Sequence, residues 1–223
     1  MATVQRFIPL KFDPTSLGMV LLVGWMVLQH PGIPSPVLTA FTLALGYVLS
    51  VLLHEYSHAR MARVFGIPTT RITLTFFGGQ AELQHDTPTP TSTFMVAFAG
   101  PLSNLLLALL LHVALLLQWP EGVGWSLGML KTINVLLAVS NLIPAPPLDG
   151  GHMLHSVIWK LTGKPDVAQA TLAVTGGVFL LLLGAAAVWM ALRNPLGALV
   201  LALNASMVFS HLMGWWKERQ HQP

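Results

Sequence analysis

Val51-Leu-Leu-His54-Glu55-Tyr-Ser-His58-Ala-Arg60 stands near the end of a long apolar run that opens at Pro36. Two histidines four residues apart, with an acid directly after the first, form the pattern in which two imidazoles bind zinc from one face of a helix. At about 100° per residue, such positions differ by only about 40° around the axis and by one turn in height. Both rings therefore reach one ion. Glu55 is next to a ligand in sequence without being one, which is where a general base belongs. In a polar chain these five residues would read as a solvated helix face. Inside a membrane span a charged side chain costs about 2.5–3.5 kcal/mol, so those that occur face a cavity or a partner and serve function.

The rest of the chain supplies that membrane setting. Of 223 residues, 54% are hydrophobic and 9% are charged, against about a quarter charged in a soluble domain. Six segments, near 15–30, 36–62, 93–118, 124–144, 168–191 and 195–214, approach the roughly 20 residues needed to cross the hydrocarbon. The expectation is an all-α integral membrane protein in the lipid bilayer, a single domain over 1–223 whose three core spans lie at about 36–160. No polar block is large enough for a separate soluble domain. Met1 to Asp13 has neither the apolar stretch nor the cleavage site of a signal peptide, so the first span is expected to stay attached. Cysteine is absent, which leaves His and carboxylate as the zinc donors. The net charge of +3 comes from scattered basic residues with no continuous patch, which argues against nucleic acid. Arg6, Lys11, Arg60, Arg63, Arg71, Lys160, Lys164, Lys217 and Arg219 fall on one side of the six-span arrangement, against Lys131 and Arg193 on the other. That asymmetry puts both termini in the cytoplasm.

Between the second and third spans, the connection from Ile67 to Ser92 contains Arg71-Ile-Thr-Leu-Thr-Phe-Phe77 followed by Gly78-Gly79. Alternation around Thr73 and Thr75 predicts a short β segment near 71–84. Bare strands are not tolerated against lipid, so this piece is re-entrant within a protein-lined cavity or interfacial. It offers an edge to a substrate strand.

A catalytic zinc typically has three protein ligands and an open position. Asp149 is the remaining acid embedded in an apolar region, within Asn141-Leu-Ile-Pro-Ala-Pro-Pro-Leu-Asp149-Gly150-Gly151. The prolines and glycines break the helix there and imply a protected, partly wet pocket. The plainer alternative is an Asp that caps the next helix, 152–161. One Zn2+ per chain on His54, His58 and Asp149 is the expected centre.

His54-Glu55-Tyr56-Ser57-His58 on a second span, followed by Asn141 to Gly150 after a fourth, resembles the site-2 protease family of intramembrane zinc metalloproteases. The resemblance covers about Leu52 to Trp159, and includes Phe98-Ala-Gly-Pro-Leu-Ser-Asn104 and the Gly78-Gly79 loop. It implies a transmembrane protein substrate cut within or beside its span. It also implies that Asn141 contacts substrate or the oxyanion, and that Arg71 to Gln80 guides the substrate strand. Many members carry an extra soluble domain, for which this chain has no room. Oligomeric state does not follow from the resemblance.

Other polar residues are weaker candidates. Asn104 is either a site-lining residue or a helix-packing contact. His152 and His155 follow Asp149 at helical spacing, but two histidines and one carboxylate already complete the usual set. His112 reads as a helix–helix partner, Lys131 as snorkelling or cavity-facing, and Trp119, Trp125, Trp215 and Trp216 as interfacial. A zinc transporter or metal-sensing membrane protein is the alternative function, since intramembrane His and Asp also mark ion pathways. It leaves Glu55 unexplained, and the chain lacks the two related halves such proteins often show.

Overall fold

A computed structural model describes residues 8–29, 32–75 and 78–220. Arg6, His30 and Phe76-Phe77, which enter the charge count, the first hairpin and the extended segment, lie outside them, as does the side chain of Trp215. The described elements run β1 (Leu10–Phe12), α1 (Pro14–Gln29), α2 (Pro36–Val64), β2 (Thr69–Thr75), β3 (Gly78–Leu83), α3 (Pro90–Ala114), α4 (Glu121–Asn141), α5 (Asp149–Thr162), α6 (Pro165–Ala191) and α7 (Pro195–Gln220).

Five of these helices, α2, α3, α4, α6 and α7, are long and apolar enough to cross a membrane. The first expected span, α1, has 16 residues, which at 1.5 Å per residue rises about 24 Å, short of the roughly 30 Å hydrocarbon core. Together they make a mainly helical, multi-pass membrane architecture with one small sheet, as the sequence predicts. The contacts divide the chain into two compact units, Met1–Pro88 with Met95–Ser140, and Thr89–Phe94 with Asn141–Pro223.

In the first unit, α2 shows why the run from Pro36 folds as it does. Pro36 sits at the helix start, where its missing N–H costs nothing. The Thr39 hydroxyl donates to the Pro34 carbonyl at 2.7 Å. Leu38, Phe41, Leu45 and Leu49 are exposed along one stripe, the face such a helix presents to lipid. Small residues along the same helix, Ala40, Ala59 and Ala62, are buried, and at Gly46 a Cβ would fall 2.6 Å from the Leu130 methyls of α4. Lipid supplies no hydrophobic drive between helices, so close backbone approach at small residues does the packing. Val27, Ile33, Ala40, Leu43 and Leu130 form the resulting cluster, with Trp125 packed against it.

The extended segment is a β2–β3 hairpin, antiparallel with Ile72 opposite Ala81 and Leu74 opposite Gly79. Its alternation is real: Ile72 and Leu74 are buried. The hairpin is joined by β1, which runs parallel to β2 with Leu10 opposite Ile72. The order β1-β2-β3 leaves β3 at an edge. Both β2 and β3 contact α2. Outside the spans, the Arg71 guanidinium donates to Glu82 at 2.7 Å, and this bond holds the Glu82 carboxyl below its ordinary range.

In the second unit, α5 packs on α6 and α6 on α7. Asn194 caps α7 by accepting from the Gly197 N–H at 3.0 Å. Thr89 and Ser92 cap the start of α3 reciprocally, each hydroxyl accepting from the other's N–H at 3.1 Å.

Candidate metal centre

Helix α2 places His54 and His58 one turn apart, with their Nε2 atoms 3.0 Å from each other and the rings nearly perpendicular at 81°. His54 is buried and His58 half-buried. Each ring is fixed through its other nitrogen. His58 Nδ1 lies 2.7 Å from the Val96 carbonyl, and His54 Nδ1 lies 2.5 Å from Asn104 Oδ1. A carbonyl oxygen can only accept, so His58 carries its proton on Nδ1 and leaves a lone pair on Nε2. His54 meets an amide oxygen in the same way. Two lone pairs thus converge, an arrangement that a cation satisfies at Zn–N distances of about 2.0–2.1 Å.

Room for that convergence comes from Gly100 on α3. A Cβ there would strike His58 Nε2 and come within 2.6 Å of His54 Nε2. Pro101 follows inside the helix, so the Ala97 carbonyl loses its usual helical donor. The Ser103 hydroxyl donates to the Gly100 carbonyl at 2.7 Å.

Glu55 is buried beside the pair, turned about 100° around α2 from His54. Edge strand β3 packs onto it: a Cβ on Gly79 would overlap the Glu55 Cγ and lie 2.9 Å from Cδ and Oε1. Gly78, with φ of 136°, adopts a conformation that favours glycine.

Asp149, in the second unit, begins α5. The N-cap is Leu148, with no side-chain cap bond, so Asp149 is a first-turn residue and not the cap. A carboxylate there gains from the positive end of the helix dipole. It is half-buried, with Oδ2 shielded from solvent. Its glycines are packing residues: a Cβ on Gly150 would overlap the Leu142 and Ile143 carbonyl oxygens, and one on Gly151 would lie 2.9 Å from the Ala145 carbonyl. The proline-rich loop 142–148 therefore folds tightly back on the start of α5. Pro146 packs on α6, where a Gly176 Cβ would meet its ring at 2.7 Å.

Asn141 ends α4 and is half-buried. His152 is exposed. His155 faces Trp159 at 6.0 Å, and burial holds its imidazole below its ordinary range. Asn104 is fully buried, with Oδ1 on His54 and Nδ2 donating to Asn134 Oδ1 at 2.8 Å. Asn134, Ser50 and the Val96 carbonyl were not singled out in the sequence, and Gly100 entered only within the Phe98 to Asn104 stretch that carries the resemblance. A lone Asn between Ile133 and Val135 in an apolar run was the signal that pointed to Asn134.

Residues 40–127 and 119–184 match the model of peptidase family M50, 145 of the 223 residues. The chain belongs to this family. The M50 chain is 37% identical over 166 residues to a provisionally named zinc metalloprotease of Synechocystis sp., covering 71% of this chain and 44% of that protein. It is 35% identical over 138 residues to the provisionally named zinc metalloprotease Rip3 of Mycobacterium tuberculosis, covering 60% and 35%. The M50 chain thus spans less than half the length of either relative. Among solved structures, the site-2 protease from Methanocaldococcus jannaschii has the same fold, with a TM-score of 0.63 over 96% of this chain and 93% of that one, at 22% identity. The resemblance seen in the sequence therefore holds.

Proposed function

We propose that this chain is an intramembrane zinc metalloprotease that hydrolyses peptide bonds within or beside the transmembrane segments of membrane-protein substrates. The observation that carries the reading is the pair of Nε2 lone pairs of His54 and His58, converging next to buried Glu55. A metal pair alone would serve storage or transport, whereas an adjacent acid outside the ligand set serves hydrolysis.

His54, His58 and Asp149 are the set proposed to hold one Zn2+, each offering one ligand atom. Bound zinc supplies Lewis-acid polarisation of the scissile carbonyl and activation of the attacking water. Glu55 accepts the proton of that water as the water oxygen bonds to the carbonyl carbon. When the C–N bond breaks, Glu55 returns the proton to the departing nitrogen. Asn141 is proposed to donate its amide hydrogen to the carbonyl oxygen as charge develops there.

A helical substrate has its carbonyls hydrogen-bonded, so it must unwind before attack. The edge of β3, which pairs with no further strand among the described residues, suits a substrate strand, held by backbone bonds alongside Gly78 and Gly79. The distribution of Lys and Arg supports both termini on the cytoplasmic side, an arrangement that requires the 16-residue α1 to cross as the first of six spans. The domain proposed to carry the reaction includes the three spans within about 36–160.

The test is Glu55→Gln. Gln is nearly isosteric but cannot take a proton at neutral pH. Zinc content should stay at the wild-type level while cleavage of a transmembrane substrate falls by about 10²–10⁴. A variant that cuts at the wild-type rate would remove Glu55 as the base.

A further inference from the structure

We propose that Asn104 and Asn134 form an amide relay that fixes the tautomer of His54, so that its Nε2 presents a lone pair to the metal. The inference rests on His54 being a zinc ligand. It makes both asparagines positioning residues, with Asn104 committed to the histidine and not to substrate.

The direction of every hydrogen bond in the relay follows from two backbone carbonyls. The Leu130 carbonyl lies 2.9 Å from an Asn134 side-chain nitrogen. A carbonyl only accepts, so Nδ2 and not Oδ1 must face it. Independently, the Ser50 hydroxyl spends its one hydrogen on the Gly46 carbonyl at 2.8 Å. Toward Asn134 it can only accept, and Asn134 Nδ2 is 2.9 Å away. Both constraints orient the Asn134 amide the same way.

Its oxygen then faces Asn104, which must answer with Nδ2, at 2.8 Å. That leaves Asn104 Oδ1 toward His54 Nδ1 at 2.5 Å. The proton of a neutral His54 is therefore on Nδ1. Reversing either amide would set donor against donor, or oxygen against oxygen.

Burial gives the relay its force. Asn104 and Asn134 have no solvent exposure, and Ser50 has 2%. Bulk solvent does not reach a mispaired amide there, and an unsatisfied buried polar group costs about 1–3 kcal/mol. The relay also ties three helices together, α2 through Ser50 and His54, α3 through Asn104 and α4 through Asn134. A ligand on one helix is thus oriented by main-chain carbonyls on two, Gly46 of α2 and Leu130 of α4.

Two measurements on the full chain in detergent test this. The first needs no metal: ¹⁵N NMR of the histidines in the zinc-free protein, with His54 assigned from His54→Gln. Wild type should show the Nδ1–H form. Asn104→Leu and Asn134→Leu should shift His54 toward the Nε2–H form. The second is zinc affinity by chelator competition. Asn104→Leu should bind about 10–100-fold more weakly, the usual effect of losing a ligand's hydrogen-bond partner. Asn104→Asp in its neutral acid form keeps an acceptor on Nδ1–H and offers its O–H to Asn134 Oδ1 in place of Nδ2, so it should keep both the tautomer and the affinity, which a merely space-filling Asn104 would not require. An Nε2–H tautomer in wild type, or both Leu variants retaining the Nδ1–H form and an affinity within about twofold, would overturn the relay. If His54→Gln keeps its full zinc affinity, the metal-centre assignment itself has failed, a different outcome from either.

Discussion

The two halves of the proposed ligand set are held by opposite means. His54 and His58 sit on an uninterrupted helix and are aimed by hydrogen bonds to Asn104 and to the Val96 carbonyl. Asp149 follows an irregular loop, and its place is set by backbone shape: three prolines, and two glycines that let carbonyls approach the start of α5. The reason lies in the side chains. An imidazole is rigid and must be aimed through its second nitrogen, so it needs a partner. A carboxylate one carbon from the backbone can be placed by positioning that backbone. In the helical region polar side chains therefore determine the geometry, whereas in the loop region glycines do.

The largest expected effect breaks the helical half. Gly100→Ala puts a methyl group against both Nε2 atoms and should weaken zinc binding by more than the roughly 100-fold upper range for loss of a supporting hydrogen bond. Equilibrium metal titration checks it, and wild-type affinity would mean that α3 moves aside freely.

Gly150→Ala breaks the loop half. The new methyl would overlap two carbonyl oxygens, and overpacking of this kind costs about 1–3 kcal/mol. Thermal unfolding in detergent should show the loss. Gly177→Ala, with nothing within 4 Å of the new Cβ, should show none.

A subtler change separates metal binding from proton transfer. Gly79→Ala crowds Glu55, whose atoms are the three nearest to the new Cβ. Zinc content should hold while cleavage falls about tenfold, a misplaced general base losing part of its 10²–10⁴ contribution. Parallel loss of zinc would show that the strand supports the histidines as well.

The smallest effect is on the sheet. Glu82 is held below its ordinary value of 4.5, chiefly by the hydrogen bond from Arg71. A carboxyl lowered by folding stabilises the fold above that value, and the contribution disappears as pH falls through the lower folded value. The pair is solvent-exposed, so the change is small and screened by salt. A slight drop in melting temperature between pH 7 and pH 4, partly removed by Glu82→Gln, is the expected outcome.

Local information made much of this legible. His54 and His58 share a face because the helix repeats every 3.6 residues, and a span needs a fixed apolar length whatever its neighbours do. The alternation of Ile72 and Leu74 likewise marked a strand before any partner was known. Strand β1 escaped notice because three residues carry no period, and it exists through its pairing with β2.

By itself, then, the sequence determined the membrane class, the histidine pair with its acid, and the unusual backbone around Asp149, since each depends on residues within one or two turns. Tertiary structure alone decided which polar residues serve the pair. Asn134 and Ser50 are 84 residues apart and Asn104 and His54 are 50 apart. Their meeting depends on how α2, α3 and α4 are rotated against one another. That rotation is set by where small residues such as Gly46 and Gly100 let the backbones close, and no local pattern records which small residue will face which helix.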